Sequence, residues 1–155
     1  MAALPTADIV ADTLTKMLRR TVRAKAAPAK ASSAKLAGIY RAVDDAPVAA
    51  CMADIPFAAF SGAAFSMIPA DAAKDSIKAG VLDEGMQDNF GEVLNVLSRL
   101  FAQQGNQRIT LQTKSFPPAA LPEAASAALT TSAKKLDLEV DIDGYGKGLL
   151  MLRLM

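Results

Sequence analysis

The sequence predicts a mixed α/β domain of the α+β kind, in the order α-ββ-ααα-βββ. Three observations carry this. Apolar residues recur at helical spacing near the start of the chain, three helical stretches follow one another in its middle, and short apolar runs joined by turn residues flank that block. Two pairs of those runs read as hairpins, so the sheet is expected to be mainly antiparallel. With 155 residues, 52% of them hydrophobic and 21% charged, the chain is long and apolar enough to bury one sizeable core without covalent staples.

Thr6 is placed to cap a first helix. Asp8 falls in its first turn, and Val10, Leu14, Met17 and Leu18 make one face to be buried through about Val22. Residues 1–23 are therefore expected to form an N-terminal helix packed on the domain. Residues 24–34, AKAAPAKASSA, contain no large apolar side chain and read as a solvated linker, which leaves 35–155 as the domain proper. Runs at 36–42 and 48–53 flank Asp44-Asp45-Ala46-Pro47 as a hairpin. Helical stretches follow at 57–67, ended by Pro69, and at 70–78, closed by Gly80. The longest helix is expected from about Asp83 to Gln103, stopping at Gly105. A strand over 108–115 then alternates through Ile109, Leu111 and Thr113 until Pro117-Pro118 breaks it. A short helix over 121–129 leads to a second hairpin, 135–142 with 149–154, around turn glycines Gly144, Gly146 and Gly148.

Composition closes several kinds of chemistry. With no His and one Cys, the chain cannot supply a Cys/His zinc site, a Ser-His-Asp triad or a Cys-His dyad, and Cys51 reads as a small core residue. A formal charge of +1 gives no global attraction to nucleic acid or to an anionic membrane. The carboxylate-free run containing Lys16, Arg19, Arg20, Arg23, Lys25, Lys30, Lys35 and Arg41 reads as a solvated face. No membrane-spanning apolar run and no leader pattern stand out, so the chain is read as cytoplasmic.

On the long helix, Asp88, Glu92, Asn95 and Arg99 fall within roughly 60° of one another, opposite Met86, Phe90, Val93, Leu97, Leu100 and Phe101. Asp and Asn each cost a helix interior roughly 0.6 kcal/mol relative to Ala, in a chain that uses Ala freely. The stripe therefore points to a presented, functional face, with weak ion pairs such as Glu92 with Arg99 as the plain alternative.

Asp88-x3-Glu92-x2-Asn95, followed after 22 residues by Pro118, resembles the signature of the CheC/CheX/FliY family of response-regulator phosphatases. The resemblance spans 36–154 and implies a mainly antiparallel sheet backed by long helices, with the signature helix exposed. It implies a partner, the phosphorylated receiver domain of a response regulator such as CheY, and hydrolysis of its aspartyl phosphate. By the resemblance Asn95 would position water and Glu92 would pair with the receiver's lysine. Asp88 would sit at the edge of the contact and Pro118 would shape the strand end beside the helix, Arg99 is taken as a further binding residue of the stripe, and Mg²⁺ would come from the receiver, not from this chain. Arg99 stands where the family commonly has glycine. Asp8-x3-Asp12-x2-Thr15 looks like a decayed second copy, so a single-site, CheX-like protein is expected. The same resemblance allows a homodimer, and as the alternative function a catalytically silent module that binds a response regulator or a flagellar or pilus switch component.

Overall fold

The computed structural model describes residues 2–42, 46–102 and 108–155. Its helices are α1 (Ala7–Leu18), α2 (Ile55–Phe65), α3 (Ala70–Ala79), α4 (Glu84–Leu97) and α5 (Glu123–Thr131). Its strands are β1 (Val22–Ala26), β2 (Leu36–Arg41), β3 (Pro47–Ala53), β4 (Thr110–Ser115), β5 (Lys135–Ile142) and β6 (Gly146–Leu154). All six join one antiparallel sheet in the order β1-β5-β6-β3-β2-β4. The mixed α/β class and both expected hairpins are present.

Alternation along the strands sorts the core into two layers. Leu36, Tyr40, Cys51, Leu138, Val140, Leu150 and Leu152 point to the face covered by α1, α2 and α4. Ala37, Ile39, Ala50, Met52 and Met151 point to the other face, where α5 contributes Ala125. Helices α1, α2 and α4 start where Thr6, Asp54 and Asp83 accept the backbone N–H three residues on, at 3.3, 2.8 and 2.8 Å.

Three expectations are corrected. The first helix ends at Leu18 with Arg19 in the left-handed region, and Val22–Ala26, which overlaps the expected linker, is an edge strand on β5. The pairing Val22↔Ile142 through Ala26↔Leu138 is a long-range bond that the Ala/Lys composition does not reveal. Second, the long helix leaves α geometry after Leu97 for a 3-10 turn over Ser98–Phe101. There Ser98 Oγ donates to Asn95 O at 2.6 Å and draws carbonyl capacity from the α ladder. The expected stop at Gln103 to Gly105 lies outside the described residues, as does the Asp44-Asp45 part of the first hairpin turn. Third, Gly144 is a turn glycine at φ 81°, whereas Gly148 lies within β6 for close approach: a Cβ there would stand 2.3 Å from Phe57 N.

Candidate functional site

Helix α4 is built to present one face and bury the other. Met86, Phe90, Val93, Leu94 and Leu97 are buried against the sheet and α2, while Asp88, Glu92 and Asn95 are exposed along the opposite side. These three span about 10 Å along the helix axis. Arg99 is also exposed but belongs to the 3-10 turn beyond the α-helical end. Among the described residues no side-chain hydrogen bond or ion pair engages Glu92, Asn95 or Arg99, and the local Glu92 to Arg99 pair is not formed. Their polar groups are turned to solvent and open to another molecule.

The backbone beneath that face is tightly held. Tyr40, fully buried on β2, donates its phenol to Leu94 O at 2.7 Å, one residue before Asn95. On the other flank Asn89 Nδ2 donates to Gly62 O of α2 at 3.0 Å. Phe90 sits edge-on to Phe57 of α2 at 6.1 Å and to Phe116 at 6.4 Å between ring centroids. Asn89 is therefore a mid-helix amide spent on structure, unlike Asn95. Helical angle separates the two, because Asn89 faces α2 and Asn95 faces out.

Pro118 is exposed in the turn after β4, beyond a cis Pro117–Pro118 peptide. Phe116 fastens this segment to α4 through Phe90, and Ser115 Oγ closes the turn on Ala120 O at 3.1 Å. The sequence-separated Pro118 thus comes from a segment anchored on α4.

The N-terminal triplet behaves differently. Asp8 and Asp12 are exposed on α1, but Thr15 accepts the Val22 N–H at 3.0 Å and pins the start of β1 to the helix. Its hydroxyl is a structural bracket. Part of the basic run is likewise engaged: Arg20 lies 4.7 Å from the centre of the Tyr145 ring, and Lys25 meets Glu139 at 3.4 Å. Cys51 is fully buried, and burial pushes its thiol up to about 12, which keeps the nucleophilic thiolate out of reach at neutral pH.

One residue at the site carries no motif signal. Lys114 of β4 lies over Gly91, where an added Cβ would meet its Nζ at 3.1 Å and its Cδ at 3.3 Å. Only the β2–β4 register, Gly38↔Lys114, turns it toward α4, so its place follows from strand pairing. A mid-helix glycine costs about 1 kcal/mol relative to Ala, and the stretch around 91 has no turn requiring it.

The sequence matches no protein-family model and no curated protein. The fold is nevertheless shared with solved structures. A chain of the FliM–SpeE complex from H. pylori superposes with a TM-score of 0.62 at 11% identity, over 96% of this chain and 80% of that one. The FliM middle domain from H. pylori gives 0.56 at 10% identity, over 96% and 84%. FliY from Thermotoga maritima gives 0.58 at 15% identity, over 92% and 80%. The architecture is thus the fold seen in FliM middle domains and in FliY. At these identities the likeness is one of fold.

Proposed function

We propose that the outer face of α4 docks onto a phosphorylated receiver domain and that the chain hydrolyses its aspartyl phosphate. The observation that carries this reading is the pairing of an unengaged Glu92 and an unengaged Asn95, one turn apart, on a helix whose backbone is clamped at Leu94 and Asn89. A receiver's acyl phosphate already has Mg²⁺ and a lysine neutralising its oxygens, so the missing component is an oriented water. The Asn95 carboxamide offers one donor and one acceptor to hold that water in line with the phosphorus. Glu92 pairs with the receiver's lysine and sets the depth of insertion, while Asp88, Arg99 and Pro118 border the contact. The water oxygen bonds to phosphorus as the P–O bond to the receiver's aspartate breaks; the aspartate leaves as a carboxylate, and the water's protons stay on the inorganic phosphate or pass to solvent. Preorganisation of α4 supports this chemistry, because a water-holding group acts only if it does not reorganise at the moment of attack.

A second reading rests on a different observation. The fold likeness is to FliM middle domains, one of the similar structures being a FliM–SpeE complex, and to FliY, which supports a silent module that uses this fold to bind a response regulator or switch component. Timed loss of ³²P from a panel of phosphorylated receivers, with and without the chain, separates the two. Accelerated loss supports hydrolysis, and binding without acceleration leaves the module.

A further inference from the structure

We infer that Lys114 is a docking cation of this same face, placed to meet the anionic rim of a receiver's phosphoryl pocket; the inference rests on the receiver reading above. Gly91 lies between Asp88 and Glu92 in sequence and one turn before Asn95, and the Lys114 side chain crosses the helix there, its Nζ at 3.1 Å and Cδ at 3.3 Å from the position of a Cβ on residue 91. The ammonium is thereby laid along the flank of the exposed stripe. Among the described residues it pairs with no carboxylate, although Asp88 and Glu92 stand on the same helix.

This placement costs the fold something. An alanine at 91 would strengthen the helix, and the chain uses alanine widely, yet the position is glycine. What the glycine makes room for is the lysine stem and head. Charge supplies the reason. The receiver's lysine answers Glu92, but Asp88 presents a further negative charge to a pocket that carries a phosphoryl group and carboxylates, which repel it. A cation beside Gly91, between Asp88 and Glu92, offsets that repulsion on the amino-terminal half of the stripe, whereas Arg99 lies at its carboxy-terminal end. Lys114 thus governs encounter and affinity, and Asn95 governs the chemical step.

The test measures association with receivers charged with beryllium fluoride and Mg²⁺, and steady-state phosphate release from phosphorylated ones, for wild type, K114Q, K114R and G91A. K114Q is expected to weaken association about tenfold at low salt, raise KM by a similar factor, leave kcat within about twofold, and flatten the salt dependence. K114R should restore most of the affinity. In G91A the new methyl asks the lysine to give by only a few tenths of an ångström and leaves its charge in place, so association should stay near wild type while the thermal midpoint rises. Wild-type affinity and salt dependence in K114Q, with phosphate release intact, overturn the role of Lys114 and leave the phosphatase reading standing. Failure of wild type to bind or dephosphorylate any receiver overturns both.

Discussion

The Tyr40 phenol donates to the Leu94 carbonyl at 2.7 Å from inside the core, and the next residue along the helix is Asn95. A buried tyrosine that has no contact with solvent therefore fixes the backbone from which the exposed amide projects. Removing the hydroxyl in Tyr40→Phe should cost about 1–2 kcal/mol, since a buried acceptor loses a partner but the ring stays packed beside Phe101. Amide exchange at Asn95 to Ser98 should quicken more than exchange in α1. Unfolding in urea and residue-resolved exchange measure the two effects.

Asn95→Ala should lower phosphate release by about 10²-fold or more and leave receiver binding intact, a loss comparable to removing one preorganised polar group. Glu92→Ala should weaken association as well as turnover, with the loss partly masked at high salt. Both side chains are exposed, so thermal midpoints should stay near wild type. Equal effects of the two substitutions on binding would refute the division of labour between them.

Gly148→Ala should destabilise the fold by at least ~3 kcal/mol, because the added carbon would lie 2.3 Å from Phe57 N and 2.5 Å from Phe57 Cα, neither of which can rotate away. Gly80→Ala offers a contrast, since nothing lies within 4 Å of its Cβ position and only the φ of 75° opposes it. Expression level and urea midpoint for the pair would separate steric overlap from backbone strain.

Arg153 is 3% exposed on β6 and meets Asp137 of β5 at 2.6 Å. Asp137→Ala leaves a buried guanidinium unpaired and should cost about 3–5 kcal/mol, whereas Arg153→Met with Asp137→Leu should fall within about 1–2 kcal/mol of wild type. A double-mutant cycle by chemical denaturation reads the coupling. An additive result would show that the pair contributes nothing beyond its separate parts.

Asp54 caps α2 and also accepts the Leu149 N–H at 3.0 Å, and burial raises its pKa despite those two backbone hydrogen bonds. A carboxyl raised in the folded state contributes stability that is complete below its unfolded pKa and is lost as pH rises through the folded value. Asp54→Asn removes the ionisation and keeps an acceptor. The stability of Asp54→Asn relative to wild type should therefore increase as pH rises from acid through the carboxylate range, and then level off. A flat difference across that range would mean that Asp54 is not held above its ordinary value.

Local pattern made α4 and its exposed stripe legible, because burial of Met86, Phe90, Val93 and Leu97 follows a 3.6-residue period that the sequence displays directly. The two hairpins were legible for the same reason, through short apolar runs and turn residues. Strand β1 was not, since VRAKA has one large apolar residue and becomes a strand only by pairing with a segment over a hundred residues later. Lys114 and Tyr40 were hidden in the same way. Each reaches α4 from a strand distant in sequence, and no spacing within one element encodes a contact between two. The end of the α helix at Leu97 coincides with the Ser98 hydroxyl bonding the Asn95 carbonyl, a local contact that residue propensities do not contain.

The edge position of β1 changes where this chain can be cut. A truncation designed at the apparent composition break would slice through a sheet and strip β5 of its neighbour, leaving a row of bare amides and carbonyls on a strand whose inner side carries Leu138, Val140 and Ile142. It would also remove Val10, Leu14 and Leu18 from the roof over those residues. Such a fragment would be a sticky, half-opened sandwich, and its failure in a binding assay would reveal nothing about α4. Even the residues ahead of the Thr6 cap belong to the fold, because Ala3 N–H donates to Phe101 O at 2.9 Å and Leu4 packs on the core, so the serviceable cut for dissecting this molecule spares Ala2 onward.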